Sequence, residues 1–491
     1  MAMDTVPTQY GLLKGVPGRD ENVTVFKGIP YARPPVGMLR FTPPQRPLPW
    51  AGVLLCDKFS ASAVQHKPFG DPDVREIGED CLYLNIWAPA GAAGKTGGGP
   101  AGRESERGNC PVMFWIHGGG FVTGCGTSPE FDGEAFARKG VILVTVNYRL
   151  GALGFLALDA LKARDGTTGN YGLLDQIAAL SWVRGNIGAF GGDADNITVF
   201  GFSAGGMSAR MLMCSPRARH MMRRVIVESG GGVTDSDNYR PLDEKIGVCR
   251  RGMDRLGWTA DDLMKKDAGE VNDMLRDATA GELESWEKSV FQPDIDGDIL
   301  TVTPGVGIWK GECADIPVIA GSVSGDSGWI KIVRHEVADE RMIPAFVYSR
   351  GVSWAIRQTD TGRRPIFTYH FERTQPPARQ RGLQNPTPHG SEIRYVMGMV
   401  EAADAGNGGF TAYDKELSEA MVDYWTNFAK TGDPNGEGLK PWPAYTKENP
   451  VSMHFTDMGY AAEELARNPA AKQAVRFAAD HPGLIKSLRE L

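Results

Sequence analysis

Short β-branched runs alternate with helical patterns along this chain, and that alternation constrains its fold more than any other feature. The runs at 112–116, 141–148, 197–201 and 225–228 are close to apolar throughout, rather than on every second residue. A strand apolar on both faces is buried on both faces, which is the mark of a parallel sheet covered by helices. Between the second and third runs, Leu173, Ile177, Leu180 and Ile187 recur at helical spacing. The pattern returns at 316–321 and 366–371. A further helix reads from 415 to 430, with Leu417, Met421, Tyr424 and Phe428 on one face. The expectation is an α/β architecture, with a mostly parallel central sheet, helices on both faces, and 1–491 as a single domain. Residues 89–110 read as a flexible surface loop by their Gly and Pro content. Residues 232–300 and 330–365 read as helical excursions, the latter as a cover.

Composition excludes several classes. The chain has 491 residues, of which 42% are hydrophobic and 23% charged, an ordinary globular balance. No apolar run approaches the ~20 residues of a membrane span. With 53 basic and 60 acidic residues the net charge is −7, which offers no surface to nucleic acid. The expected partner is a small molecule, with no nucleic acid and no membrane. Nothing in the sequence chooses between a monomer and a dimer. Residues 1–8 carry neither a basic start nor an apolar stretch, so no signal peptide is read and a cytoplasmic location is expected. The seven cysteines are scattered and form no CxxC pair, which points to reduced thiols and away from zinc or a dense disulfide framework.

Cofactor motifs fail on inspection. Gly94-Lys95-Thr96 matches the end of a phosphate loop, but Pro89 stands where its first glycine belongs. Gly124-Cys125-Gly126 is followed by Pro129 where a dinucleotide fingerprint needs glycine. No cofactor and no metal are expected.

The sharpest local signal is Gly201-Phe202-Ser203-Ala204-Gly205-Gly206, after the strand-like run 197–200 and before a helical segment at 207–214. This is the context of a nucleophile elbow, in which a serine sits on a strained strand-to-helix turn. The helix start behind it offers backbone N–H groups to a developing anion. Upstream, His117-Gly118-Gly119-Gly120-Phe121 follows the run 112–116. Backbone donors aimed at a tetrahedral oxyanion lower its barrier by roughly 3 kcal/mol each. Glycines leave such amides unobstructed. Gly119, Gly120 and Ala204 are the expected donors.

A serine nucleophile needs a base and an orienting acid, in this architecture in the order serine, acid, histidine. That order leaves His335, His370, His389, His454 and His481. His370 and His454 lie inside strand-like runs, where a core or surface role fits. His481 is near the tail, and His335 is in a charged stretch. His389 lies on a loop after the run 366–371, the kind of place where scaffolds present catalytic groups. Asp326, in Ser324-Gly325-Asp326-Ser327-Gly328 after the run 316–321, is the acid candidate. An ordinary turn aspartate reads the same way.

A collinear series of blocks then resembles the type-B carboxylesterases, the family of liver carboxylesterases, cholinesterases and bacterial para-nitrobenzyl esterases. The blocks include Phe26-Lys27-Gly28-Ile29-Pro30-Tyr31-Ala32, Glu79-Asp80-Cys81-Leu82-Tyr83-Leu84-Asn85 and Asn147-Tyr148-Arg149-Leu150-Gly151. Gly169-Asn170-Tyr171-Gly172, Phe190-Gly191-Gly192-Asp193 and Trp442-Pro443 continue the series. The resemblance implies an α/β-hydrolase fold. It makes His389, in His389-Gly390-Ser391-Glu392, the catalytic histidine. It makes Asp326 the acid, where the family usually has Glu. It implies that Ser229 supports the acid from behind, and that Arg40–Glu79 and Arg149–Asp175 are structural ion pairs. In secreted relatives Cys81 has a partner just before a Gln; here Val64 precedes Gln65 and Cys56 is off register, which supports a reduced setting.

The resulting expectation is a serine hydrolase acting on small, partly apolar carboxylic esters through Ser203, His389 and Asp326. Phe121, Phe202, Trp329 and Met397 are the expected pocket walls. The same machinery could serve amide, carbamate, lactone or toxin polyester bonds, because specificity lives in the walls. A non-catalytic binding protein of the same fold is the alternative from another class.

Overall fold

The computed structural model describes residues 5–65, 76–92, 109–233, 241–282, 289–326, 343–376, 387–400 and 409–465. They fall into two compact units. The first takes the described residues of Met1–Val199, Ser215–Met222 and Tyr239–Thr301; the second takes those of Phe200–Cys214, Arg223–Asn238 and Val302–Leu491.

In the first unit the strands are β1 (Val23–Pro30), β2 (Tyr83–Pro89), β3 (Cys110–Ile116), β4 (Ile142–Val146) and most of β5 (Gly192–Phe202). Their order is β5-β3-β4-β2-β1, with the short strand Val16–Pro17 at the edge. β3 and β4 run parallel, Phe114 opposite Val144. β2 runs antiparallel to β4, Ile86 opposite Val144. Every residue of β4 is buried, as a strand apolar on both faces requires. Helix α1 (Tyr171–Asn186) carries the expected Leu173 and Leu180, both fully buried. The excursion expected at 232–300 is helical at Leu242–Leu256, Ala260–Lys265 and Ala268–Thr279. Ion pairs stitch this unit, among them the fully buried Lys245–Asp294 at 2.8 Å. Arg149 grips Asp175 with Nη2 at 2.7 Å. Arg40 grips Glu79 at 2.6 Å and donates to the carbonyls of Leu263 and Lys266.

The second unit holds β6 (Arg224–Glu228), β7 (Val318–Val323), β8 (Ile366–Phe371), β9 (Val451–Thr456) and β10 (Gly459–Glu464). β6, β7, β8 and β9 are successive parallel neighbours, and β10 closes a hairpin on β9. Ser203 alone separates the end of β5 from the start of helix α2 (Ala204–Cys214), and α3 (Ala412–Thr431) packs Trp425 and Phe428 on the aromatic side chains Tyr369 and Phe367 of β8. Leu417, Met421, Tyr424 and Phe428 of α3 are all buried, worth roughly 1.5–3 kcal/mol each. A capping box between Thr411 and Asp414 starts this helix, and Gly432 at φ 87° ends it. Among the described residues no helix is long and apolar enough to cross a membrane.

The structure corrects the sequence expectation in particular places. The thiols are not all reduced: Cys214, the last residue of α2, is joined to Cys313. These cysteines lie 99 residues apart, and only the fold brings their Cα atoms to 4.1 Å. Cys56 and Cys81 stay separate, buried thiols. The run at 316–321 pairs only from Val318, since Pro317 has no N–H for a ladder. Cys110, assigned to a loop, opens β3. Most of that loop, 93–108, and the first part of the expected cover, 330–342, lie outside the described residues; the rest of the cover contains the helix Ile343–Asp360.

Candidate active site

β5 delivers Ser203 to the start of α2. The serine has φ 56°, in the left-handed region that side chains rarely occupy, and such a residue costs of order 1–3 kcal/mol. Backbone bonds hold it there. Its N–H donates to the Glu228 carbonyl at 2.8 Å, and its own carbonyl accepts from Met207 N–H at 2.8 Å. The sequence points to Gly201 and Gly205 for the tightness of this turn, but a closer approach falls on Gly206 and Gly230. A Cβ on Gly206 would lie 2.9 Å from both the Gly201 oxygen and the Gly230 Cα. Ala204, the first residue of α2, donates no backbone hydrogen bond among the described residues, as expected of a helix start.

Asp326 follows β7 and His389 lies on the loop after β8. The imidazole Nδ1 is 2.5 Å from Asp326 Oδ1. The other carboxylate oxygen accepts from Val323 N–H at 3.2 Å. With Nδ1–H donated to the carboxylate, Nε2 carries the lone pair that a base needs. The His389 ring centroid lies 5.4 Å from that of Phe202, the residue before the serine. Gly390 sits at φ 82°, and a Cβ there would be 2.9 Å from the same Phe202 ring. The histidine turn is thus seated on the serine turn. Gln375 fixes it from the other side, its Nε2 donating to the Ser391 carbonyl at 2.6 Å. The Ser203 hydroxyl makes no hydrogen bond among the described residues; catalytic contacts are often loose until substrate arrives.

Two buried glutamates, Glu228 and Glu392, share the surroundings of Tyr369 with the acid. Burial pushes Glu228 and Glu392 up to about 8, and the negative charges of Asp326 and Glu228 add to the effect on Glu392. Trp425 Nε1–H donates to Glu228 at 2.7 Å. Ser229, itself at φ 50°, donates its hydroxyl to Glu392 Oε1 at 3.3 Å, so its direct partner is Glu392. Tyr369 reaches the same oxygen at 3.5 Å. Sequence reasoning missed both glutamates. Their signals are an acid ending the apolar run Val225-Ile226-Val227 and an acid three residues after His389.

The glycine loop belongs to the first unit. His117, 1% exposed, stacks on Tyr148 with ring centroids 4.5 Å apart. Burial pushes it down to about 4, so it is neutral, and its Nδ1–H donates to the Gly118 carbonyl at 2.8 Å. The next carbonyl, Gly119, accepts from the N–H groups of Val122 and Thr123 at 3.1 and 3.0 Å. In a trans peptide the carbonyl and the following N–H point opposite ways. Pinning the Gly118 and Gly119 carbonyls therefore aims the N–H groups of Gly119 and Gly120 away from those acceptor contacts. Neither N–H has a partner among the described residues. Gly119 at φ 107° needs glycine for this path, and Gly120 at φ 62° and Phe121 at φ 65° continue it in the left-handed region.

Of the expected walls, Phe202 is partly exposed beside His389. Phe121 and Met397 have no exposed surface, Phe121 packing edge-on to Phe155 at 5.4 Å, so neither offers a face to substrate as it stands. Trp329 lies outside the described residues.

Similarity to known proteins extends over most of the chain. The sequence model of the Carboxylesterase family matches residues 2–342 and 334–473. The para-nitrobenzyl esterase of Bacillus subtilis (strain 168) is 34% identical over 494 residues, covering 91% of this chain and 94% of that protein. The fumonisin B1 esterase of Sphingopyxis macrogoltabida is 32% identical, covering 94% of this chain and 88% of its own. A solved structure of a thermophilic PNB esterase superposes with a TM-score of 0.79 at 31% identity, covering 96% of this chain and 100% of that one.

Proposed function

The chain belongs to the carboxylesterase family, with the α/β-hydrolase fold, and we propose that it hydrolyses its esters through Ser203, His389 and Asp326. His389 Nε2 takes the Ser203 proton as Oγ attacks the ester carbonyl carbon. The carbonyl π electrons move to oxygen, and the N–H groups of Gly119, Gly120 and Ala204 hold the resulting anion. The tetrahedral intermediate collapses, its bond to the alkoxy oxygen breaks, and His389 gives its proton to the leaving alcohol. Water, deprotonated by the same imidazole, then attacks the acyl-enzyme and frees the acid and Ser203. Asp326 holds the imidazole in the tautomer this cycle needs. Residues 1–491 act in this reading as one catalytic domain, with Ser229 supporting through Glu392.

The single observation that carries the assignment is the His389–Asp326 contact at 2.5 Å, on a turn packed against the residue before a serine with positive φ. The substrate is a small, partly apolar ester. Phe202 is the described wall that favours an apolar group. Amides, carbamates, lactones and polyester toxins present the same carbonyl to the same groups, and a panel of aryl esters, carbamates and anilides ranks them. The cytoplasmic placement keeps one support, the unpaired Cys81, and loses another in the Cys214–Cys313 disulfide. A fluorophosphonate tests the assignment: it labels one equivalent of Ser203 with loss of all esterase activity. Full activity after stoichiometric labelling, or label elsewhere, contradicts it.

A further inference from the structure

We propose that Gln65 is a positioning residue that sets the aim of the Gly119 and Gly120 amides by locking the far stem of their loop. The inference rests on the reading of those amides as oxyanion donors. Gln65 follows the short strand Ser62–Ala63 and is 7% exposed. A primary amide has two donor hydrogens and two acceptor lone pairs. Here all four are used. Oε1 accepts from the Thr123 hydroxyl at 2.7 Å and from Gly124 N–H at 2.9 Å. Nε2 donates to the Gly124 carbonyl at 3.0 Å and to the Ala63 carbonyl at 3.1 Å. Three of the four bonds go to two consecutive residues 58 and 59 positions away.

Those two residues are the ones on which the donors depend. Thr123 N–H is one of two groups pinning the Gly119 carbonyl, and that carbonyl shares a peptide plane with Gly120 N–H. A Cβ on Gly119 would lie 2.1 Å from the Thr123 oxygen, so the two backbones touch and cannot shift independently. Gly124, at φ 107°, packs against the other stem: a Cβ there would lie 2.5 Å from both the Gly118 oxygen and His117 Nδ1. The Gly118 carbonyl shares its plane with Gly119 N–H. One buried carboxamide therefore holds both residues that brace both donor planes. A shift of a few tenths of an ångström matters, because an oxyanion donor works only when aimed at where the oxygen will be.

A merely structural glutamine would cost stability and leave catalysis alone; a positioning one costs kcat selectively. Two variants are compared with the parent chain on a para-nitrophenyl ester. Gln65→Leu keeps the bulk and removes four hydrogen bonds. Thr123→Val keeps the shape and removes one. For folded Gln65→Leu, kcat falls about 10- to 100-fold with KM within about twofold, and the affinity for an aryl trifluoromethyl ketone falls by a similar factor. That ketone adds Ser203 Oγ to its carbonyl carbon, the serine proton passes to His389, and the oxyanion occupies the donors. Thr123→Val shows the same split at several-fold. A folded Gln65→Leu with kcat within twofold of the parent overturns the proposal. So does a rise in KM with kcat and ketone affinity unchanged. If Gln65→Leu does not fold, Thr123→Val decides by the same criteria. Failure of the serine assignment looks different: Ser203→Ala would then keep its turnover, whatever Gln65→Leu does.

Discussion

Gly206 and Gly230 pass so closely that a Cβ on Gly230 would lie 2.4 Å from the Gly206 carbonyl carbon. This contact brings the first turn of α2 against the residues that follow β6. It places the Glu228 carbonyl where Ser203 N–H can reach it. The strained serine is held by a backbone-to-backbone contact that admits no side chain.

Gly206→Ala is therefore expected to destabilise the chain by about 1–3 kcal/mol, the usual range for overpacking, and to reduce esterase activity further than the loss of folded protein explains. Thermal unfolding and active-site titration with a fluorophosphonate check the two parts separately.

Asp326→Asn is expected to lower kcat on the order of 10³- to 10⁴-fold with the fold intact. An amide nitrogen facing His389 Nδ1 favours the tautomer with the proton on Nε2, which is then no base. Asp326→Glu keeps the carboxylate, and its kcat is expected within about tenfold of the parent, since the site needs charge and acceptor more than chain length. Steady-state kinetics on one para-nitrophenyl ester decides both.

Glu228 gives a stability prediction with a definite sign. A free glutamate loses its proton near 4.5, whereas burial pushes Glu228 up to about 8. Between those values the folded chain keeps a proton that the unfolded chain releases. Stability therefore falls as pH rises across that window, by up to about 1.4 kcal/mol per pH unit. Below it both states hold the proton and the contribution is constant. Glu228→Gln cannot release a proton, so its stability declines less from pH 5 to pH 8 than the parent's. Urea unfolding at the two pH values measures the difference.

Activity is expected to fall on the acid side of neutrality, as an imidazole base takes up a proton. A pH–rate profile with a short-chain ester checks this; a rate flat down to pH 4 contradicts a histidine base.

What the sequence showed and what it hid follow from the range of the signals. Ser203 and the glycines are marked by short motifs after strand-like runs, whereas His389 and Asp326 are only candidates by chain order, and it is the family resemblance that separates them from the other histidines and from an ordinary turn aspartate. The parallel strands β3, β4, β6, β7 and β8 announce themselves as apolar runs. β1 and β2 were legible only as family blocks, because Val23-Thr24-Val25-Phe26-Lys27-Gly28 and Tyr83-Leu84-Asn85-Ile86-Trp87 interleave polar residues with apolar ones. The Cys214–Cys313 bond, the Gly206–Gly230 contact and the carboxamide of Gln65 join positions tens of residues apart. No local pattern encodes such pairs. Glu228 and Glu392 read as ordinary acids until their burial is seen.

Everything proposed for the site depends on the Ser203 hydroxyl being the nucleophile. Turnover of a short-chain para-nitrophenyl ester by purified Ser203→Ala, with folding verified by its thermal transition, tests it most directly. No hydrolysis is expected above a residual on the order of 10⁻³ of the parent kcat or less. A folded variant that keeps the parent's turnover contradicts it.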